Sequence, residues 1–283
     1  MLAVVGTVPD QDFPLAAGKV TLQGDRIHIQ GNEVTVNRGT PALLASAIKT
    51  AEALGQPEPF GYLVGDIGLG DGSRLLYEYI TKHISEYDFH TIVFHYVQPD
   101  VDWHNKVLFA VEEMTRQPIL IADAGFMYAA KMSGQASAYD LFTPDVGELA
   151  FLADEDAPHP FYTRGFILHE ENSVPDLISR AYKHENASRF LLVKGREDYL
   201  ADRRGIRATI KNPAEEAMEA IGGTGDILTG IAAALISASK EIDEGAFIAA
   251  WANRLAGYYA RPSPATQITE IIHHIPRALA DLL

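Results

Sequence analysis

From Phe60 to Val193 the sequence alternates short, nearly continuous apolar runs with longer stretches of helical period, and few architectures accept that pattern. "FGYLVG", "TIVFHYV", "PILIAD" and "RFLLVKG" read as strands, and "LFTPD" as a shorter one. Between them "SRLLYEYITKHI", "DWHNKVLFAVEEMTR", "VGELAFLAD" and "VPDLISRAYKHENA" read as helices. Strands apolar on both faces must be covered on both sides, so the pattern predicts a mostly parallel sheet in a three-layer α/β/α fold. Before this region, "KVTLQG", "RIHIQG" and "EVTVNRG" alternate like hairpin strands. The first long helix is "TPALLASAIKTAEALG", with Pro41 at its start and Gly55 after it. After "TIKNP" the chain is mostly helical. No linker, low-complexity tract or repeat interrupts the pattern, so residues 1–283 are expected to form a single α/β domain. The stretch "LADEDAPHPFYTRG" reads as a surface excursion.

Composition narrows the function classes. Lysine and arginine number 23 against 38 acids, a formal net charge of −15. Nucleic acid and anionic membrane are therefore not expected partners. With no cysteine, disulfides, thiolate metal sites and a cysteine nucleophile are excluded. "MLAVVGTVPD" lacks a basic leader and is too short to span a bilayer, so a cytoplasmic location is expected.

The sharpest chemical signal is "AIGGTGDILTGIAAALISAS", Ala220 to Ser239. Gly222, Gly223, Thr224 and Gly225 can curl the backbone so that several N–H groups converge on one anion at a helix N-terminus. Asp226 sits in the first turn, where it could take a proton from a hydroxyl during phosphoryl transfer. The plainer alternative is a tight loop with Asp226 as an N-terminal cap. "GDIGLGDGS", with Gly68, Gly70 and Gly72, misses the dinucleotide-binding spacing by one residue and reads as a strand-to-helix turn, although Asp88 lies where a ribose acid would. The ten histidines show no H-x-x-x-H or H-E-x-x-H spacing, so His95 and its fellows are expected to be surface or packing residues, with His273 and His274 solvated. No G-x-S-x-G elbow is present.

With "GGTGDILTG" in hand, the chain resembles the ribokinase-like superfamily and, within it, the ATP- or ADP-dependent NAD(P)H-hydrate dehydratases. "RGTPALLASA", "TPDVGELAFL", "LLVKGRED", "LAGYYA" and "HIPRAL" resemble further family segments in the right order. The resemblance implies an adenine nucleotide, ATP or ADP, with Mg²⁺. Asp226 would be the base that activates a substrate hydroxyl, and Gly225 would touch the nucleotide's phosphates, with Gly222, Gly223 and Thr224 completing the anion hole. Lys194, Gly195, Arg196, Glu197 and Asp198 would line the nucleotide site. Glu148 would order Mg²⁺ through water. Thr40 stands where the family has an alanine against the hydrated nicotinamide, and Asp145 where it has a substrate-contacting histidine.

Three departures fall mostly on the substrate side. Asp145 and Val146 replace a histidine and a proline, and "TIVFHYVQPD" has no glycine where the family carries a G-P-G-L-G turn. Asn253 and Arg254 replace a histidine and a glycine. The favoured reading is a dehydratase acting on hydrated NAD(P)H. A small-molecule kinase phosphorylating an alcohol comes second, and a nucleotide-binding regulator without turnover third. Homo-oligomer formation, common on this fold, is left open.

Overall fold

In a computed structural model, residues 1–157 and 173–283 are described. The excursion expected at "LADEDAPHPFYTRG" therefore lies outside the described residues from position 158 onward.

The strands are β1 (Leu2–Val8), β2 (Ala16–Lys19), β3 (Thr21–Gln23), β4 (Arg26–Ile29), β5 (Asn32–Thr35) and β6 (Phe60–Gly65). They continue as β7 (Thr91–His95), β8 (Ile119–Ala122), β9 (Leu141–Phe142), β10 (Phe190–Val193), β11 (Asp198–Asp202) and β12 (Gly205–Ile210). The helices are α1 (Thr40–Ala53), α2 (Asp71–His83), α3 (Val101–Glu112), α4 (Gly125–Met132) and α5 (Val146–Ala153). After them come α6 (Val174–Lys183), α7 (Thr224–Ser237), α8 (Ile242–Ala260), α9 (Ile268–Ile272) and α10 (Ile275–Ala280).

Among the described residues nine strands form one sheet in the order β12-β11-β10-β9-β8-β7-β1-β6-β2, and β3-β4-β5 form a separate sheet. The six strands from β10 to β6 pair in parallel, and antiparallel strands finish both edges. Helices cover both faces, as the double-sided apolar runs require. Leu2, Val4, Val93, Ile121, Leu141 and Leu192 join the core under α1, α7, α8 and α10. Their neighbours Ala3, Val5, Ile92, Phe94, Leu120 and Leu191 join the core under α2 to α6.

This alternation positions the site. Residues two apart share a face, so on each strand the position two beyond the last residue just named for the first core also faces α1 and α7. At the carboxyl ends of the parallel strands those positions are Gly6, His95, Asp123, Thr143 and Lys194. The topology thus collects polar groups at the end of the sheet where ligands bind in open α/β folds. α1 and α7 meet closely enough that a Cβ on Gly230 would lie 2.2 Å from the Leu43 carbonyl oxygen. Among the described residues no helix is long and apolar enough to cross a membrane.

Candidate active site

The chain reaches the site through a glycine turn. Gly223 has φ 98°, and no side chain caps α7. Among the described residues the N–H groups of Gly223, Thr224 and Gly225 make no hydrogen bond, so the helix presents them together with the positive end of its dipole. Asp226, in the first turn, does not cap its own helix. One carboxylate oxygen accepts the N–H of Gly39 at 2.6 Å, and the other lies 3.2 Å from His95 Nε2. The capping alternative for this residue is therefore replaced by a bond across to the start of α1.

His95 is fully buried, and its other ring nitrogen lies 3.0 Å from the Thr40 hydroxyl. An ionised carboxylate only accepts, so Nε2 carries the proton shared with Asp226. In the neutral ring Nδ1 then accepts from Thr40. The expectation that the histidines are surface or packing residues fails here: β7 ends at His95, and its parity turns the ring toward α7 rather than solvent. His104 does follow the packing expectation, buried between Tyr139 and Ser133. Gly6 makes room for the arrangement, since a Cβ there would lie 2.5 Å from the His95 carbonyl and 2.6 Å from the Thr40 hydroxyl.

A second cluster lies beside the first. Lys194 Nζ donates to both oxygens of Asp123 at 2.9 Å, and Thr229 of α7 donates to Asp123 at 2.6 Å. Thr229 in turn meets Thr143 at 2.9 Å. Burial alone would lower the Lys194 ammonium's pKa, but Asp123, Glu148 and Asp226 outweigh it and hold it above the ordinary lysine value. Burial alone would raise Asp226, but His95, Lys194 and the Gly39 N–H hold it below the ordinary carboxylate value. Glu148 moves the other way, raised by burial and then by Asp123, with Lys194 opposing. His95, Asp123 and Asp226 offer ligand atoms within 4.8 Å of one another. The Lys194 ammonium already supplies positive charge to Asp123, so we do not assign a metal to these three.

These groups open into a cavity of about 540 Å³. Asp145, Glu148, Lys194, Gly195, Arg196, Asp198, Gly223, Thr224, Gly225 and Asp226 all line it. The other residues singled out in the sequence lie elsewhere. Glu197 turns to Lys211 at 2.9 Å and to the Tyr199 hydroxyl at 2.7 Å. Gly222 packs on Arg38, and Thr40 is buried behind His95. Asp145 caps α5 in a reciprocal box with Glu148, each accepting the other's backbone N–H. Asp198 accepts from Arg254 Nε at 2.7 Å, and the same guanidinium donates to the carbonyls of Gly195 and Arg196 at 3.0 Å. It also reaches the Lys211 carbonyl at 3.3 Å and that of Pro213 at 3.5 Å, so one buried arginine shapes the wall opposite the glycine turn.

Sequence reasoning missed Asp123, Tyr96, Ala124 and the role of His95 in the site. Tyr96 directly after β7 and Ala124 two residues after β8, both with φ 52°, line the cavity. Left-handed backbone at non-glycine residues is a strain that persists where surroundings enforce it, often at functional sites. The "GDIGLGDGS" turn is a strand-to-helix connection, as the spacing indicated. Its N–H groups at Gly68, Gly70 and Ser73 all donate to Asp66, at 2.8, 3.1 and 2.8 Å.

A family model described as NAD(P)H-hydrate dehydratase matches residues 99–277. An uncharacterised protein of Methanocaldococcus jannaschii is 42% identical over 242 residues, which is 85% of this chain and 100% of that one. The bifunctional NAD(P)H-hydrate repair enzyme of Pyrobaculum aerophilum is 26% identical across 93% of this chain. The match covers 50% of that enzyme, so the chain spans about half its length. Among solved structures, the ADP/ATP-dependent NAD(P)H-hydrate dehydratase from Bacillus subtilis, co-crystallised with ATP/Mg²⁺ and soaked with CoA, aligns with TM-score 0.60 and 14% identity. That alignment covers 100% of this chain and 92% of the other. The pyridoxal kinase from Staphylococcus aureus, in complex with AMP-PCP and pyridoxal, aligns with TM-score 0.55 and 14% identity over 89% of this chain and 86% of its own. The likeness to these two structures shows a shared fold, and the family model carries the assignment further: the chain belongs to the NAD(P)H-hydrate dehydratase family.

Proposed function

We propose that this chain is an ATP- or ADP-dependent NAD(P)H-hydrate dehydratase in which Asp226 is the general base. The observation that carries the reading is the meeting, in one cavity, of an uncapped glycine turn, an ionised buried carboxylate and the Lys194–Asp198 loop. The substrate hydroxyl oxygen attacks the terminal phosphorus while its proton passes to Asp226, and the shortened nucleotide leaves. The carbon–oxygen bond then breaks with its electron pair going to phosphate, and loss of a ring proton forms the double bond. The oxygen of the removed water ends in inorganic phosphate.

The turn's N–H groups and Lys194 hold the phosphoryl oxygens, and Arg196 reaches the same cavity. Most other charge there is acidic, with Asp123, Asp145, Glu148, Asp198, Glu215 and Glu216 among the lining residues. A polyanion entering such a cavity needs a divalent cation, and Mg²⁺ would neutralise charge as it forms on the phosphoryl group. Glu148 and Asp145 fit its preference for carboxylates that act partly through water. Asp226, held ionised by its neighbours, keeps lone pairs free for the hydroxyl proton. We place the protein in the cytoplasm, as one ribokinase-like domain over residues 1–283.

The test is to incubate the protein with hydrated NADH and Mg²⁺-ATP or Mg²⁺-ADP, following NADH absorbance and phosphate release. Recovery of NADH with equal phosphate supports the reading. A second reading, a kinase that stops after the first transfer, draws on the acceptor side, where Asp145 stands in place of the family's histidine and "TIVFHYVQPD" lacks its glycine turn. Stable phosphorylation of a member of an alcohol panel, with no NADH recovery, would favour it.

A further inference from the structure

We propose that His95, anchored by Thr40, is the positioning residue for Asp226: it donates to one carboxylate oxygen and leaves the lone pairs facing the cavity for substrate. The inference rests on Asp226 being the base and adds the device that orients it in this chain.

Three observations carry it. His95 is fully buried, so its ring cannot touch a substrate in the cavity and must act through its neighbours. Both ring nitrogens are engaged, Nδ1 by Thr40 at 3.0 Å and Nε2 by Asp226 at 3.2 Å, which fixes both the ring plane and the tautomer. The carboxylate is held from two sides, by His95 from β7 and by the Gly39 N–H at the start of α1. A carboxylate has about four acceptor positions, so two bonds at the back leave acceptor capacity for a hydroxyl. Thr40 thereby gains a different task from touching nicotinamide: it is a buried anchor on the far side of the ring.

Other charges face this pair. Asp123 lies 3.9 Å from His95 Nε2, Lys194 follows β10 and Glu148 comes from α5, and the Tyr96 phenol is pushed up by burial and by Asp226, Asp123 and Glu148. Lys194 also favours the ionised form of Asp226, so removal of the histidine donor shifts that carboxyl without abolishing its ionisation.

The test replaces His95 by Leu, which removes the donor, and by Gln, whose amide nitrogen can stand where Nε2 stands. The carboxyl of Asp226 is titrated by carbon-13 NMR, assigned by its loss in D226N, and the acid limb of kcat is measured for NADH recovery. A hydrogen bond to a charged group of this kind moves a titration by about one to two pH units. In H95L the Asp226 midpoint and the acid limb should both rise by that amount, with the nucleotide KM unchanged, and H95Q should stay near wild type. An unmoved midpoint in H95L, or an equal shift in H95Q, overturns the proposal. Should H95L not fold, Thr40→Val frees the ring and should shift the midpoint in the same direction by less; no shift there overturns it equally. The carboxyl titration does not depend on turnover, so its outcome is separable from the base assignment, which D226N tests through activity.

Discussion

Two glycine-rich turns in this molecule look alike in sequence and differ in what their backbone is left to do. Residues 65–73 and 222–226 both enter a helix through a left-handed glycine, Gly70 at φ 88° and Gly223 at φ 98°, with an aspartate in the first turn that follows. In the first turn Asp66 accepts from the N–H groups of Gly68, Gly70 and Ser73 and from the Ser73 hydroxyl. Burial would raise the Asp66 pKa, but these bonds prevail and lower it. That nest already holds its anion. In the second turn the nearby carboxylate looks away, to Gly39 and His95, and the N–H groups face the cavity. Glycines make an anion site only where the chain does not fill it with a side chain of its own.

The largest expected effect is at the second turn. Asp226→Asn keeps the shape and removes the base, so kcat for NADH recovery should fall by about 10²–10⁴ while nucleotide affinity holds. Wild-type turnover in this variant would remove the residue from the chemistry. Next comes the wall opposite. Arg254→Met leaves Asp198 buried without its partner and four carbonyls without a donor, a loss of about 3–5 kcal/mol by denaturant unfolding. A stability within 1 kcal/mol of wild type, roughly what an exposed ion pair contributes, would show that this wall does not depend on the pair.

Gly230→Ala tests whether α1 and α7 must touch for the two halves of the site to align. The added methyl group meets Ser46 and the Leu43 carbonyl, so overpacking of about 1–3 kcal/mol is expected, with weaker turnover. Unchanged stability and rate would mean that the helices separate without cost. At the first turn an effect on stability alone is expected, with none on function. Asp66→Ala should destabilise the protein by about 1–3 kcal/mol by freeing N–H groups, and leave nucleotide binding intact. A loss of nucleotide affinity comparable to that of a Gly225 substitution would erase the distinction between the turns.

The depressed carboxyls also set a direction with acid. Asp66 and Asp226 lie below their unfolded values, so their contribution to stability is full above the unfolded pKa and is lost as pH falls through the folded one. Urea midpoints should therefore drop on acidification below about pH 4, and by less in Asp66→Ala. Parallel curves for the two proteins would deny Asp66 that share.

Much of this is legible in the sequence. The apolar runs demanded a parallel sheet with two covered faces, and "GGTGD" named the turn and its acid. Spacing searches could not find His95 and Asp123, because their partners lie 131 residues away for the His95–Asp226 contact and 71 for the Asp123–Lys194 contact. A usable signal was nevertheless present. "TIVFH", "PILIAD" and "FLLVK" each end an apolar strand on a polar residue of the same parity, and such an ending faces the site. Glu197 and Gly222 show the opposite limit: membership of a motif does not decide which way one residue turns.

The most direct measurement is a crystal structure of the protein with Mg²⁺ and a non-hydrolysable ATP analogue. The account predicts the terminal phosphate on the backbone N–H groups of Gly223 to Gly225, with the Asp226 carboxylate facing the space beyond it. A nucleotide bound elsewhere with that turn unliganded, or an Asp226 side chain rotated away from the phosphate, would contradict it.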